Sequence, residues 1–592
     1  MAARRSRSEH DGAGEVRFAA PGAPARGVPR GDFVRVVARR DGSAAVGRGA
    51  VMNLSALRAQ IGAEVKMRLR SFATPIAILA YLAAAFFWIP DPRGNAASLT
   101  WDLPDGRVQS PVYSAAYVGF ALAILSCIFL ALAGFYLVAG TVRRDRKSGV
   151  GAILAATPLS KSAYLGGKLA AHFAYLLVLD VVGLLAGLLA YARWGAGPFS
   201  LAAFAGPYLL MTIPAIAAVS TLAVLFDVTP VLRSRGGLVL WFFVFLFGLV
   251  KLPMDLAGME EESGRFRNPE SRPLFDPAGL ASDQWLVRRT IPANVTGVST
   301  GHISRTQPIE RVPWPGVPVT AEMVAIRGLN LALCAVPFAL AVLIFDRFDP
   351  ARGRKRRGAA RPGLLARLTA RWRRREEDSD ADEPGAIVRR AAPLTPVTVR
   401  PSAKSAIVAE ARLIWESASW VKWPLAVAAI LAGLLPGNFA QGIFLLLLVP
   451  VISEAGARED LAGTRALVFS QPGVPRSPVL WKTAAIGLFV LMLGAPMAAR
   501  DFFASPLRGL ACVAGLAAIA GAAAGLGTLT SGGKLFTGLY VVVWYMGMSS
   551  APFADFTASL SDKPQPVWGA VYLGIAAAMV LAALGREKLR RA

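Results

Sequence analysis

Few residue types able to do covalent or metal chemistry occur in this 592-residue chain. Its three histidines, His10, His172 and His302, are too scattered for the His-Glu-x-x-His spacing that sets two zinc ligands and a general base on one helix face. Cys127, Cys334 and Cys512 each lie in an apolar run, which argues against a disulfide framework and against a four-thiolate metal site. No Gly-x-Ser-x-Gly elbow accompanies His172 as a base. A phosphate-cradling Gly-x-x-x-x-Gly-Lys-Ser/Thr loop is also missing: the nearest stretch, Gly527 to Lys534, has the wrong spacing and continues into Leu535. Two adjacent pairs of opposite charge stand out instead, Arg144-Asp145 and Arg458-Glu459. Asp180 lies in the middle of an apolar run, where an unpaired charge is costly and a pathway role is the first suspicion.

The elements that must position these residues are apolar. The chain is 54% hydrophobic and 17% charged, with a mean hydropathy of +0.47 and a formal net charge of +26. A soluble domain carries about 25% charged residues, so the composition is that of an integral membrane protein. Runs long enough to span a bilayer lie at about 72–90, 113–140, 169–191, 199–226, 236–252 and 325–345. Six more lie at about 420–436, 437–453, 483–499, 506–529, 535–550 and 567–585. The fold expected is therefore all-α and polytopic, with about 12 transmembrane helices. An even count puts both termini on one side, and the charges choose the side. The tail 1–51 carries +5, the loop 141–168 carries +5 and the linker 346–404 carries +8, all on the same face. That is the positive-inside pattern, so the basic excess is a topological label and not a nucleic-acid surface. The expected location is the cytoplasmic membrane, with both termini cytoplasmic.

The tail 1–51 is rich in Arg, Gly, Ala and Pro without periodicity, as in a disordered segment. The linker 346–404 joins two membrane halves, 52–345 and 405–592, and alternates Arg clusters with an acidic patch from Glu376 to Glu383. Residues 253–322 form the one sizeable outer loop, read either as a partly ordered cover over the outer mouth or as a spacer.

At a constant offset of 314, Arg144-Asp145, Gly149, Leu154, Pro158 and Lys168 align with Arg458-Glu459, Gly463, Val468, Pro472 and Lys482. The chain is thus read as a duplicated six-helix unit. In each copy a glycine permits a turn, a short segment too brief to span follows, and a proline ends it. Lys168 or Lys482 is then expected at headgroup level, at the start of the next membrane helix. The outcome is a short helix beneath the membrane, either a plain connector or a docking element.

The stretch from Arg143 to Lys161, with Thr157-Pro158-Leu159-Ser160 and then Gly167-Lys168-Leu169, resembles the coupling-loop signature of the type-2 ABC exporter permeases. The resemblance extends to the six-helix topology and to a basic amphipathic entry segment, Leu54 to Phe72. The second copy departs from the pattern, with Gln471-Pro472-Gly473-Val474 in place of Thr157-Pro158-Leu159-Ser160. The family resemblance implies a permease with no ATPase and no cofactor of its own, partnered by separate ATP-binding-cassette subunits, two copies per pathway. It also implies that Arg144, Asp145, Gly149, Pro158, Arg458, Glu459, Gly463 and Pro472 couple to those subunits. Two other readings stay open. An ion-coupled secondary transporter also fits a duplicated bundle but would carry more midplane polar groups than Asp180. A membrane-embedded enzyme would need catalytic acids such as those of the outer loop, Glu260 to Glu262 and Asp276, which read here as a solvated run.

Overall fold

A computed structural model describes residues 54–589, apart from 158, 234, 260–270, 293, 306, 349–401, 419–420, 436, 471–476, 550 and 561–564. The tail 1–51, nearly all of the linker, Pro158, Pro472 and Glu260 to Glu262 therefore lie outside the described residues.

The chain is mostly helical. Helix α1 (Leu54–Leu69) meets α2 (Ala73–Trp88) at a bend of 67°. Strands β1 (Ala96–Asp102) and β2 (Val108–Pro111) follow, then α3 (Ala115–Val138), α4 (Thr141–Lys147), the short α5 (Val150–Ala156), α6 (Lys161–Trp194) and α7 (Leu201–Val228). The next span is composite: α8 (Arg235–Phe243), a π-helical stretch Val244–Lys251, and α9 (Leu252–Leu256). Helix α10 (Leu280–Arg288), strands β3 (Gly297–Ser304) and β4 (Ile309–Val312), and helices α11 (Ala321–Leu333) and α12 (Ala335–Ile344) lead to the linker. Beyond it lie α13 (Ala403–Ser417), α14 (Lys422–Leu434), α15 (Phe439–Ile452), α16 (Arg458–Ala462) and the short α17 (Arg465–Phe469). Four longer helices close the chain: α18 (Pro478–Ala504), α19 (Pro506–Thr530), α20 (Lys534–Met548) and α21 (Val567–Leu589).

Among the described residues nine helices are long and apolar enough to cross a membrane, and up to eleven if each of two bent helix pairs is one span. Helix starts follow local side-chain chemistry. Ser114, Ser160, Ser200 and Thr320 each accept a bond from the backbone N–H three residues on, satisfying one of the orphan donors of a first turn. Pro207 and Pro214 lie inside α7, Pro450 inside α15 and Pro496 inside α18; the Leu210 carbonyl freed by Pro214 accepts instead from Arg327 at 3.3 Å. Helix α3 is apolar on every side and buried along nearly its whole length, as a helix at the centre of a bundle must be. Around it pack α2, α6, α7 and, from beyond the linker, α20.

Two features depart from the hydropathy reading. First, the fold is not purely helical: strands in the order β3-β1-β2-β4 form a small sheet at the end opposite α5. β1 pairs antiparallel with β2 (Trp101 facing Gln109) and with β3 (Asp102 facing Gly297), while β2 pairs parallel with β4 (Val108 facing Ile309). The sheet unites the loop before α3 with the 253–322 loop, so two segments distant in sequence build one element. Second, part of the 253–322 loop is neither cover nor spacer. Residues 280–287 of α10 are all buried. Gly279 lies against Met211, Cys127 and the Arg327 guanidinium. Cys127 is twelve residues into α3, so the segment dips roughly 18 Å below the start of that helix, at 1.5 Å per residue. Asp276 fixes the dip by accepting from the backbone N–H groups of Gly279 (3.0 Å) and Ser282 (2.6 Å), while Arg327 donates to the Asp276 carbonyl (2.5 Å). A second buried stretch, 551–560, follows α20, and there Asp555 accepts from the N–H groups of Ser559 (2.9 Å) and Leu560 (3.1 Å).

Candidate functional site

Of the residues aligned by the 314 offset, the charged ones converge in space: Asp145 meets Lys168 and Glu459 meets Lys482. Helix α4 follows Gly140, which adopts φ +88, and carries Arg144 and Asp145 to the face of α1 and the first turns of α6. Glu64 on α1 accepts from Arg144 at 2.7 Å, and the Lys168 ammonium bridges Glu64 and Asp145, reaching the latter at 2.6 Å. Tyr164, one turn before Lys168, donates its hydroxyl to Asp145 at 2.8 Å. Two carboxylates and two cations thus neutralise one another in a largely buried knot, the arrangement that makes a buried charge tolerable.

The four equivalent charges recur beyond the linker as two ion pairs. Arg458 donates to Glu410 of α13 at 2.6 Å, and Lys482, buried at the start of α18, pairs with Glu459 and donates to the Ala455 carbonyl at 3.2 Å. Lys168 and Lys482 are therefore not headgroup contacts. Each is almost wholly buried, because the entry helix folds back over the start of the helix that carries it. Glu64 and Glu410 are the members that the sequence reading missed. Their offset is 346, not 314, since the β1–β2 loop lengthens the first copy between the entry helix and α3. The matching words Ile61-Gly-Ala-Glu64 and Ile407-Val-Ala-Glu410 were the available signal. Tyr164 has no equivalent, its position being held by Pro478.

From each knot hangs a short helix. Gly149 (φ +79) and Gly463 (φ +71) make the turns into α5 and α17, and open space surrounds both, so backbone conformation and not close packing requires glycine there. On these helices Ile153 and Leu467, at the same repeat position, are 68% and 65% exposed.

The junction above the first knot is tied from several elements. Asp227, at the end of α7, accepts from the N–H groups of Gly140 (2.5 Å) and Val142 (3.2 Å) and from the Thr141 hydroxyl (3.1 Å). Arg68 of α1 donates to the Leu137 and Val138 carbonyls, and Lys534 of α20 to the Ala139 carbonyl. The last carbonyls of α3, left without helical partners, are thus held partly by a residue from beyond the linker. His172 packs beneath, its Nε2 3.2 Å from the Thr141 hydroxyl. It is fully buried and belongs to this junction.

Asp180 is fully buried. Its carboxylate accepts from Tyr208 and Thr212, each at 2.9 Å, and Tyr208 continues through Ser126 to Tyr81. The acid is enclosed among α2, α3, α6 and α7 and hydrogen-bonded on both oxygens. The seam between the helices before and after the linker lies elsewhere, where Phe242 meets Trp544 (centroids 5.1 Å apart) and Phe245 meets Tyr545 (5.6 Å). Towards the Lys534 end, a cavity of about 30 Å³ opens along this seam, lined by Tyr136, Leu238, Phe242, Pro450, Glu454 and Thr537 among others. The π-helical stretch begins two residues after Phe242, at Val244. Such stretches are rare and frequent at functional sites.

Among the described residues no cluster of side chains is arranged to hold a metal ion. Compared with known protein families, with characterised proteins and with solved structures, the chain finds no match.

Proposed function

We propose that the chain is the transmembrane permease subunit of an ATP-binding-cassette exporter, with ATP bound and hydrolysed by separate ATPase subunits. In this reading two six-helix units are fused into twelve spans, with α20 and the bent pairs α1–α2 and α13–α14 completing the count. The short helices α5 and α17, the tail and the linker face the cytoplasm. One observation carries the reading. Four equivalent charges pair in both copies, and from each copy hangs a short helix on which the aliphatic side chain at the same repeat position, Ile153 or Leu467, is exposed, Val150 joining Ile153 on the first. An isolated aliphatic on a loop needs no explanation, but the pair at equivalent positions on rigid mounts fits two sockets on a two-fold partner.

Closure of the partner dimer would move α5 and α17 as levers. The knots would pass that motion to the entry helices and to α6 and α18, and the aromatic seam with its cavity would open or shut. Asp180 has no part in this scheme, which weakens the ion-coupled alternative. Replacing Ile153 and Leu467 by Asp should abolish retention of the ATPase on the purified permease without lowering the amount of permease in the membrane; undiminished retention would refute the docking role.

A further inference from the structure

The three residues that follow the last span before the linker are folded back onto α5. Asp346 accepts two bonds from Arg146, at 2.9 and 3.1 Å, and also caps the Phe348 N–H at 3.0 Å. Arg347 donates to the Thr157 carbonyl at the end of α5, and Lys161 donates to the Phe345 carbonyl at 2.6 Å. The Phe348 ring rests on Gly151, where any side chain would strike it within 2.7 Å, and lies edge-on to Phe345 and Tyr164. Phe345 in turn stacks on Tyr164, whose hydroxyl holds Asp145 of the first knot. Arg347 and Phe348 both adopt positive φ, 53 and 63. For residues of this bulk that conformation persists only where surrounding contacts enforce it. By contrast, α17 has no buried residue.

We propose that Asp346–Phe348 is a strap that sets the position of the first docking helix and, through Phe345 and Tyr164, of Asp145. Tyr164 acts as the positioning residue between strap and knot. The strap continues directly from α12, whose companion α11 carries Arg327 against the dipping segment at the other end of the bundle. A shift of that span therefore reaches α5 through bonded chain and not through lipid. Among the described residues the two docking helices differ: the first is held by its own span, whereas no residue of α17 is buried. The inference does not depend on which protein docks.

The test uses the full chain in detergent or nanodiscs, with a nitroxide on Ile153→Cys and, separately, on Leu467→Cys. The three native cysteines are buried, so labelling is selective. Phe348→Ala should at least double the mobile fraction of the spectrum at position 153 and leave position 467 unchanged. Asp346→Arg should do the same, and Asp346→Arg combined with Arg146→Asp should restore the narrow distribution. Unchanged spectra at 153 in Phe348→Ala, equal loosening at 153 and 467, or no rescue by the charge exchange would each overturn the strap. Partner ATPase retention, measured in parallel, reports on docking separately, so its failure leaves the spectroscopic result readable.

Discussion

Lys168→Met is the sharpest single perturbation of the knots. The ammonium contacts Glu64 and lies 2.6 Å from Asp145, and both carboxylates are about nine-tenths buried. Without it they share Arg144, which is 2.7 Å from Glu64 but 3.4 Å from Asp145 and is itself 42% exposed, so its compensation is screened. Stranding one buried charge costs about 3–5 kcal/mol, and that range is expected for the single variant. Glu64→Gln alone strands the ammonium less severely, because Asp145 remains, and should cost about 2 kcal/mol on the same scale. If the four groups act as a unit, Lys168→Met with Glu64→Gln should cost no more than the lysine variant alone. Asp145 then keeps Arg144 and Tyr164, and no unpaired carboxylate is left. The predicted coupling is therefore about 2 kcal/mol, well above the ~0.5 kcal/mol expected of independent sites. Equilibrium unfolding in mixed detergent and SDS micelles, followed by tryptophan fluorescence, measures all three variants. Additive losses would refute the idea that the knot is balanced as a group and would reduce it to separate ion pairs.

Other consequences follow from the same geometry. Gly149→Ala and Gly463→Ala force a left-handed backbone on alanine, at about 1–2 kcal/mol each; partner binding should weaken while each knot, measured by its double-variant coupling, stays intact. Asp180→Asn keeps an acceptor for Tyr208 or Thr212, so transport should be unchanged from pH 5 to 8, whereas Asp180→Leu strands the Thr212 hydroxyl, Tyr208 keeping Ser126 and the residue-180 carbonyl, and should lower thermal stability. Burial, with Asp276 nearby, raises the Asp283 carboxyl well above the ordinary carboxylate range. The stability that its protonated form contributes is full below the unfolded value and is lost as pH rises through the raised folded value. Asp283→Asn should therefore gain stability over the parent as pH increases, and Asp276→Asn, which loses a backbone acceptor, should not; thermal unfolding across pH separates them.

Sequence patterning gave the spans well, because an apolar run of span length has few other uses. It showed Arg-Asp/Glu, Gly and Lys recurring at one offset, and in both places the lysine pairs with the acid of that motif. The partners of those charges were harder to see. Glu64 and Glu410 belong to amphipathic entry helices where acids look solvated, and an unequal loop breaks their register. The sheet escaped because β1 and β2, which pair locally, are seven and four residues long, and their outer partners β3 and β4 lie about 200 positions away. Residues 276–288 read as a polar loop since their burial depends on Arg327 and on backbone caps, which periodicity does not report. Asp180 was singled out correctly as costly, but Tyr208 and Thr212, which satisfy it, lie a helix away.

The central claim is that α5 and α17 are the two seats of an ATPase dimer. Disulfide or maleimide cross-linking from Ile153→Cys and from Leu467→Cys, in membranes holding this chain and a co-expressed ATP-binding-cassette ATPase, tests this directly. The account predicts one ATPase cross-linked at each position, two per permease chain, with a yield that changes when ATP is added. Absence of any ATPase adduct at both positions, in membranes where both proteins are present, would contradict it.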